Sequence, residues 1–203
     1  MLLRTVTAVL VAIAATCGSA LACKGPTLLF SDDFQTADPA WILWAGSMSI
    51  SGGSAQLTSN PGTYANIAYA GTFVDSGDAC VDMVAATAKD PTSTIGGIMF
   101  GGTDDNNFYA LVTRPDGQAA IIRQQNGGWL LPVPMRAAPA VKTGAATNTL
   151  RVTWKGTDAT AYINDQQFIA FKIQPFKNGM IGLYAEPEGN SYKFSNLKIT
   201  NAP

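Results

Sequence analysis

Histidine is absent from all 203 residues. That absence excludes Ser-His-Asp and Cys-His nucleophilic catalysis and every histidine-ligated metal. Glutamate is nearly absent, occurring only as Glu186 and Glu188. Cysteine occurs three times, too few for a thiolate zinc site once Cys17 is set aside with the leader described below. No glycine-rich phosphate loop of the Walker or dinucleotide type is present. Charged residues make up only 13% of the chain, and the two signs nearly cancel, which argues against a nucleic-acid partner. No window carries a long apolar stripe of period 3.6, so alternating helices and strands are excluded.

The N-terminus has the pattern of a signal peptide over residues 1–22. Arg4 supplies the positive charge, Val6 to Ala15 is an apolar run too short to span a bilayer, and Ala20-Leu21-Ala22 is a small-x-small cleavage site. No later segment is long and apolar enough for a transmembrane span. Cleavage after Ala22 leaves residues 23–203 as one β-sandwich domain of 181 residues, enough chain for a core that needs no metal. This mature chain carries 12 Lys and Arg against 14 Asp and Glu. Cys23 and Cys80 remain as an even pair in an oxidising secreted or periplasmic compartment, where they form a disulfide or stay as thiols. The alternative is a lipid anchor at Cys23, as in bacterial lipoproteins, although Ala20 stands where those sequences usually have Leu.

The mature region reads as about a dozen short strands punctuated by Pro and Gly. Gly52-Gly53, Asn126-Gly127-Gly128 and Asn164-Asp165 are hairpin turns, and Pro115-Asp116-Gly117 is a tight turn. Cys80 to Thr87 places Val81, Met83 and Ala85 on one face, and Leu150, Val152 and Trp154 share one face of the next clear alternation. Residues 132–147, with three Pro, read as a long loop. The fold class expected is all-β: a two-sheet antiparallel sandwich.

Four segments carry a family resemblance. They are Asp32-Asp33-Phe34 with Trp41; Gly97-Ile98-Met99-Phe100 before Asn107-Phe108-Tyr109-Ala110-Leu111; Asn148 to Val152 leading to Ala161-Tyr162-Ile163-Asn164-Asp165; and Gly179 to Tyr184 before Phe194 to Ile199. In this order they resemble the concanavalin-A-like jelly rolls of the laminin-G-like and 3-keto-disaccharide hydrolase group, over nearly the whole mature chain. The resemblance implies two curved antiparallel sheets with first and last strands adjacent. It also implies glycan binding, glycan hydrolysis or adhesion. The chain departs from the hydrolytic branch, whose Glu-bearing strand and "NSGI" stretch are missing; Ile95-Gly96-Gly97-Ile98 stands nearest.

Carboxylates are the remaining catalytic chemistry. Glycoside hydrolysis needs two of them, roughly 5–9.5 Å apart. No "ExDxxE" strand of the glucanase kind exists here. Glu186 lies in the turn-like Ala185-Glu186-Pro187-Glu188-Gly189 and reads as a solvated turn charge. Asp82 is the one acid placed mid-strand and reads as a polar-face residue. These two are the candidate catalytic acids. Asp104 and Asp105 offer hard oxygens of the type Ca²⁺ prefers, but Asp and Asn in a row are ordinary turn formers, and no cofactor is implied. Sugar binding needs an exposed aromatic beside hydrogen-bonding groups. Tyr109, Arg123, Asn126 and Trp129 are the candidates, with Arg123 and Trp129 across the Asn126-Gly127-Gly128 turn; the alternative, which aromatic packing in sandwiches favours, is that Trp129 and Tyr109 are core residues and Arg123 an exposed edge. Trp41, Trp44 and Trp154 read as core or sandwich-end residues. The expected function is an exported glycan-binding or adhesion module without catalysis. A 3-keto-disaccharide-type hydrolase and a structural envelope module are the alternatives.

Overall fold

A computed structural model describes residues 23–203, and the expected leader over residues 1–22 lies outside them. Fifteen strands and no helix make up these residues. They are β1 (Leu28–Asp32), β2 (Trp41–Ala45), β3 (Ser47–Ser51), β4 (Ser54–Thr58), β5 (Ala65–Val74), β6 (Gly77–Thr87), β7 (Ile95–Asp104) and β8 (Asn107–Thr113). Then follow β9 (Gln118–Gln125), β10 (Gly128–Ala137), β11 (Asn148–Lys155), β12 (Asp158–Ile163), β13 (Gln166–Lys172), β14 (Gly179–Glu186) and β15 (Ser191–Thr200). Among the described residues no helix is long and apolar enough to cross a membrane.

The strands form two antiparallel sheets. One runs β13-β12-β11-β6-β15-β4-β3, with β1 paired to the C-terminal half of β15. The other runs β10-β9-β8-β7-β14-β5-β2. First and last strands are adjacent, as the resemblance implies. The interior is filled by every second residue of both sheets: Val81 and Met83 on β6, Leu150, Val152 and Trp154 on β11, Phe194, Leu197 and Ile199 on β15, and Ile181, Leu183 and Ala185 on β14. These alternating positions form one continuous core because successive strand side chains point to opposite faces. Gly96 on β7 is required there: a Cβ would sit 2.6 Å from the Tyr192 ring.

The turns follow their residue chemistry. Gly52-Gly53, Asn126-Gly127 and Asn164-Asp165 each place two left-handed residues between paired strands, the geometry whose twist matches a hairpin. The expected loop over residues 132–147 is a correction. Its first part continues β10, which runs through Pro132 and Pro134 to Ala137. β10 is an edge strand with irregular register between Leu130 and Arg136, so prolines without an N–H cost it no ladder bond.

On the outer face of the eight-stranded sheet, Cys23 and Cys80 form a disulfide with Cα atoms 5.5 Å apart. Beside it, Arg151 on β11 donates two hydrogen bonds to fully buried Asp78 on β6, at 2.8 and 2.9 Å. The Lys24 N–H donates to the same carboxylate at 2.7 Å, and the Arg151 guanidinium lies 4.6 Å from the Tyr162 ring centroid. The buried charge is thus satisfied on every side, as burial demands. The disulfide closes a separation of 57 residues, which corresponds to about 4 kcal/mol in the chain-entropy model. Replacing both cysteines by serine is expected to lower the unfolding free energy read from urea denaturation by an amount of that order, with a lower midpoint. Removing only Asp78 by Asp78→Ala is expected to cost about 3–5 kcal/mol, because Arg151 would be left buried and unpaired. Equal midpoints for wild type and either variant would contradict this account of the N-terminal strap.

Candidate functional site

The outer face of the seven-stranded sheet is apolar too. Met99 on β7, Phe108, Ala110 and Val112 on β8, Ala120 and Ile122 on β9, and Tyr184 on β14 form a second buried cluster. They lie on the face opposite the interior because they alternate with core residues in the same strands. Trp44, Tyr64 and Met135 pack over them. Trp44 therefore belongs to this outer face rather than to the interior, whereas Trp41 and Trp154 are buried in the core.

Trp129 stands at the start of β10, opposite Gln124 on β9, and shares its outer face. Its ring meets Tyr64 edge-on at 5.4 Å, Phe108 at 5.9 Å and Tyr184 at 6.1 Å, yet it remains 45% exposed. Tyr64 is held from below: its hydroxyl donates to the Gln124 Oε1 at 3.1 Å and its ring stacks on Tyr184 at 5.6 Å. Trp129 and Tyr64 line an open groove of 550 Å³ with Gly62, Glu186 and Glu188. An aromatic platform beside convergent oxygen acceptors is thus in place.

Glu186 is the last residue of β14 and is mostly buried, not a solvated turn charge; this corrects the expectation from its Pro and Gly neighbours. The Tyr184 hydroxyl donates to its Oε2 at 2.7 Å. Burial pushes the Glu186 carboxyl above its ordinary value near 4.5, and the Tyr184 hydrogen bond opposes the shift only in part. Burial also raises the Tyr184 phenol, with the neighbouring Glu186 charge adding to it. Glu188 is exposed and accepts the Gly62 N–H at 3.0 Å.

The other sequence candidates lie elsewhere. Tyr109 points into the core, stacked on Phe100 at 5.5 Å, and its hydroxyl accepts the Gln174 N–H at 2.9 Å. Arg123 sits over the Tyr109 ring at 4.8 Å and donates to Gln174 at 2.6 Å. Arg123 and Trp129 therefore do not face each other: Trp129 pairs with Gln124, and Arg123 pairs with Leu130 on the opposite face. Asn126 is a turn residue with φ of 51°, whose N–H donates to Asn107 Oδ1.

Asp104 accepts the Asn106 N–H and the Asn107 amide at the β7–β8 turn, and the Asp105 carboxylate accepts the Asn106 amide. Among the described residues no three His, Cys, Asp or Glu are gathered as a metal site. Asp82 lies on the outer face of the other sheet, bonded by Thr149 at 2.5 Å and Asn196 at 2.9 Å. Packed sheets are about 10 Å apart. Asp82 and Glu186 point away from the sandwich in opposite directions, so they cannot serve as a two-carboxylate pair.

Sequence reasoning passes over Tyr64, Gln124 and Tyr184, whereas Glu188 reads from sequence as a solvated turn charge and is exposed. Tyr184 lies in the Gly179–Tyr184 segment, where its alternation with Leu183 is the available signal. Tyr64 follows an irregular Pro-Gly turn and carried none.

No protein-family model matches the sequence, and no curated protein matches it. Solved structures do. The carbohydrate-binding module CBM66 from Bacillus subtilis superposes with a TM-score of 0.67 at 16% identity, over 80% of this chain and 96% of that one. LamAcat from Zobellia galactanivorans gives 0.62 at 11% identity, over 87% and 98%. The Bacillus licheniformis β-glucanase gives 0.61 at 12% identity, over 85% and 97%. These likenesses show the concanavalin-A-like jelly-roll fold.

The buried Glu186 generates a pH prediction. Its folded-state value is raised, so the proton favours the folded state. Stability is full below about 4.5 and falls as pH rises from there through the higher folded value. Glu186→Gln keeps an acceptor for Tyr184 and removes the titration. The variant is expected to match wild type at pH 4 and to melt higher at pH 8; a lower melting temperature at pH 8 would contradict the assignment.

Proposed function

We propose that this chain is an exported glycan-binding module that seats a sugar on Trp129. The observation that carries the reading is the half-exposed Trp129 ring, fixed by Tyr64, Phe108 and Tyr184 beside Glu186 and Glu188 in one groove. A pyranose has an apolar C–H face and a hydroxyl-bearing rim. The indole takes the face, and the carboxylates and the loop around Gly62 take the rim. The fold shared with a carbohydrate-binding module and with glucanases supports a carbohydrate ligand.

Export is supported by the leader-like residues 1–22 and by the disulfide, which persists in oxidising compartments. A sulfur held in that disulfide is not available for a lipid thioether, which supports a secreted or periplasmic product over the lipid-anchored alternative. Intact mass of the exported protein tests this: a mass beginning at Cys23 with one disulfide is expected, and a lipid adduct contradicts it.

A glycan array followed by affinity measurement on the selected neutral glycan tests the main reading. Trp129→Ala is expected to weaken binding at least tenfold, about 1.4 kcal/mol or more, while the fold melts cooperatively. Unchanged affinity would remove the platform, and an array without any bound glycan would favour a structural envelope role.

One observation favours a hydrolytic second reading of the 3-keto-disaccharide type. Glu186 has the raised carboxyl of a general acid, and Glu188 shares its groove. Incubation with 3-keto-glucosides decides it. Product release abolished by Glu186→Gln would establish hydrolysis, and no release from wild type would leave binding alone.

A further inference from the structure

The outer face of the eight-stranded sheet carries a separate groove of 540 Å³, on the far side of the sandwich from Trp129. Its lining includes Asp82, Lys142, Thr147, Asn164, Asn196 and Lys198, with no aromatic residue. Three local features shape it. The register of β15 against β6 shifts between Ser195 and Lys198, and Asn196 takes a left-handed φ of 54° there. Such a bulge re-aims side chains: the Asn196 amide turns onto Asp82 at 2.9 Å. The β12–β13 turn supplies Asn164, which accepts the Thr149 N–H at 2.9 Å and donates to Ala140 and Asn148 at 2.7 and 2.8 Å. Asn148 in turn accepts the Lys142 N–H at 2.8 Å and donates to the Lys142 carbonyl at 2.9 Å. The Lys142 backbone is thereby fixed to the groove wall.

The charges in this groove are unequally matched. Asp82 is held by the neutral donors Thr149 and Asn196, and Asp165 is paired with Lys24 at 3.3 Å. Lys142 and Lys198 form no ion pair among the described residues. Asp82 likewise has no cationic partner, so with Lys24 set against Asp165 the groove keeps one excess positive charge. That excess, carried by two unpaired ammonium groups, favours an anionic ligand, and the surrounding amide, hydroxyl and carboxylate groups suit sugar hydroxyls. We infer that this groove is a second ligand site that takes a uronate-bearing glycan. Lys142 and Lys198 hold its carboxylate, and Asp82, Thr147 and Asn196 take its hydroxyls. The site stands whether or not Trp129 binds a sugar.

Calorimetric titration of the mature protein with a defined oligogalacturonate tests it. Wild type is expected to bind, with affinity falling as salt rises. Lys142→Ala/Lys198→Ala is expected to lose at least tenfold. Lys155→Ala/Lys177→Ala, which removes the same charge elsewhere, is expected to stay within twofold, and the fully methyl-esterified oligomer is expected not to bind. No binding by wild type, equal losses in the two double variants, or equal binding of the esterified oligomer would each overturn the proposal.

Discussion

The two-residue period of the seven-stranded sheet is the constraint on which the rest depends. In β14 it sends Ile181, Leu183 and Ala185 inward and Tyr184 and Glu186 outward. In β8 and β9 it separates Tyr109 and Ile121 from Phe108 and Ile122. An antiparallel sheet ordinarily leaves one face to water. Here both faces are apolar, so the outer one must be covered, and Trp44, Tyr64 and Trp129 cover it. A slip of one residue in β14 would put a carboxylate in the core and Leu183 on the surface, so packing fixes the register strongly. The candidate site is thus a consequence of how the core is filled.

The opposite face of the sandwich is built on different chemistry. There the outer residues are polar, and the buried Asp78–Arg151 pair, the Cys23–Cys80 disulfide and the Asn148–Asn164 network hold the N-terminal segment and the loop after β10 against the sheet. One face offers an aromatic platform with acidic neighbours, and the other offers lysines in an amide-lined groove.

The fold was legible because alternation and turn chemistry are local. Val81, Met83, Leu150 and Val152 face inward as their spacing demands, and the Asn126 and Asn164 hairpins form where their residues permit positive φ. The loop expected over residues 132–147 failed at Pro132 and Pro134, because an edge strand has free positions that a central strand lacks. The site was legible only in pieces. Trp129 and Glu186 were both named, but their meeting in one groove joins β10 to β14 across three strands. Arg123 was placed beside Trp129 by nearness in sequence, yet hairpin register puts Gln124 there and turns Arg123 to the other face. Glu186 reads as solvated because its neighbours are Pro and Gly, whereas it ends a strand, takes the Tyr184 hydroxyl and shares a groove with Tyr64 and Trp129, which are remote in the chain.

The central claim is that the Trp129 face is where a glycan sits, and the indole N–H resonances read it directly. The described residues hold four tryptophans in distinct settings: Trp41 and Trp154 in the core, Trp44 packed on the outer face, and Trp129 half exposed. In a ¹H–¹⁵N titration with the neutral glycan chosen by the array, the Trp129 indole and the Tyr64 and Gln124 amides are expected to shift in step with saturation, with the Trp41 and Trp154 indoles unmoved. Saturation with an unmoved Trp129 indole would contradict the account.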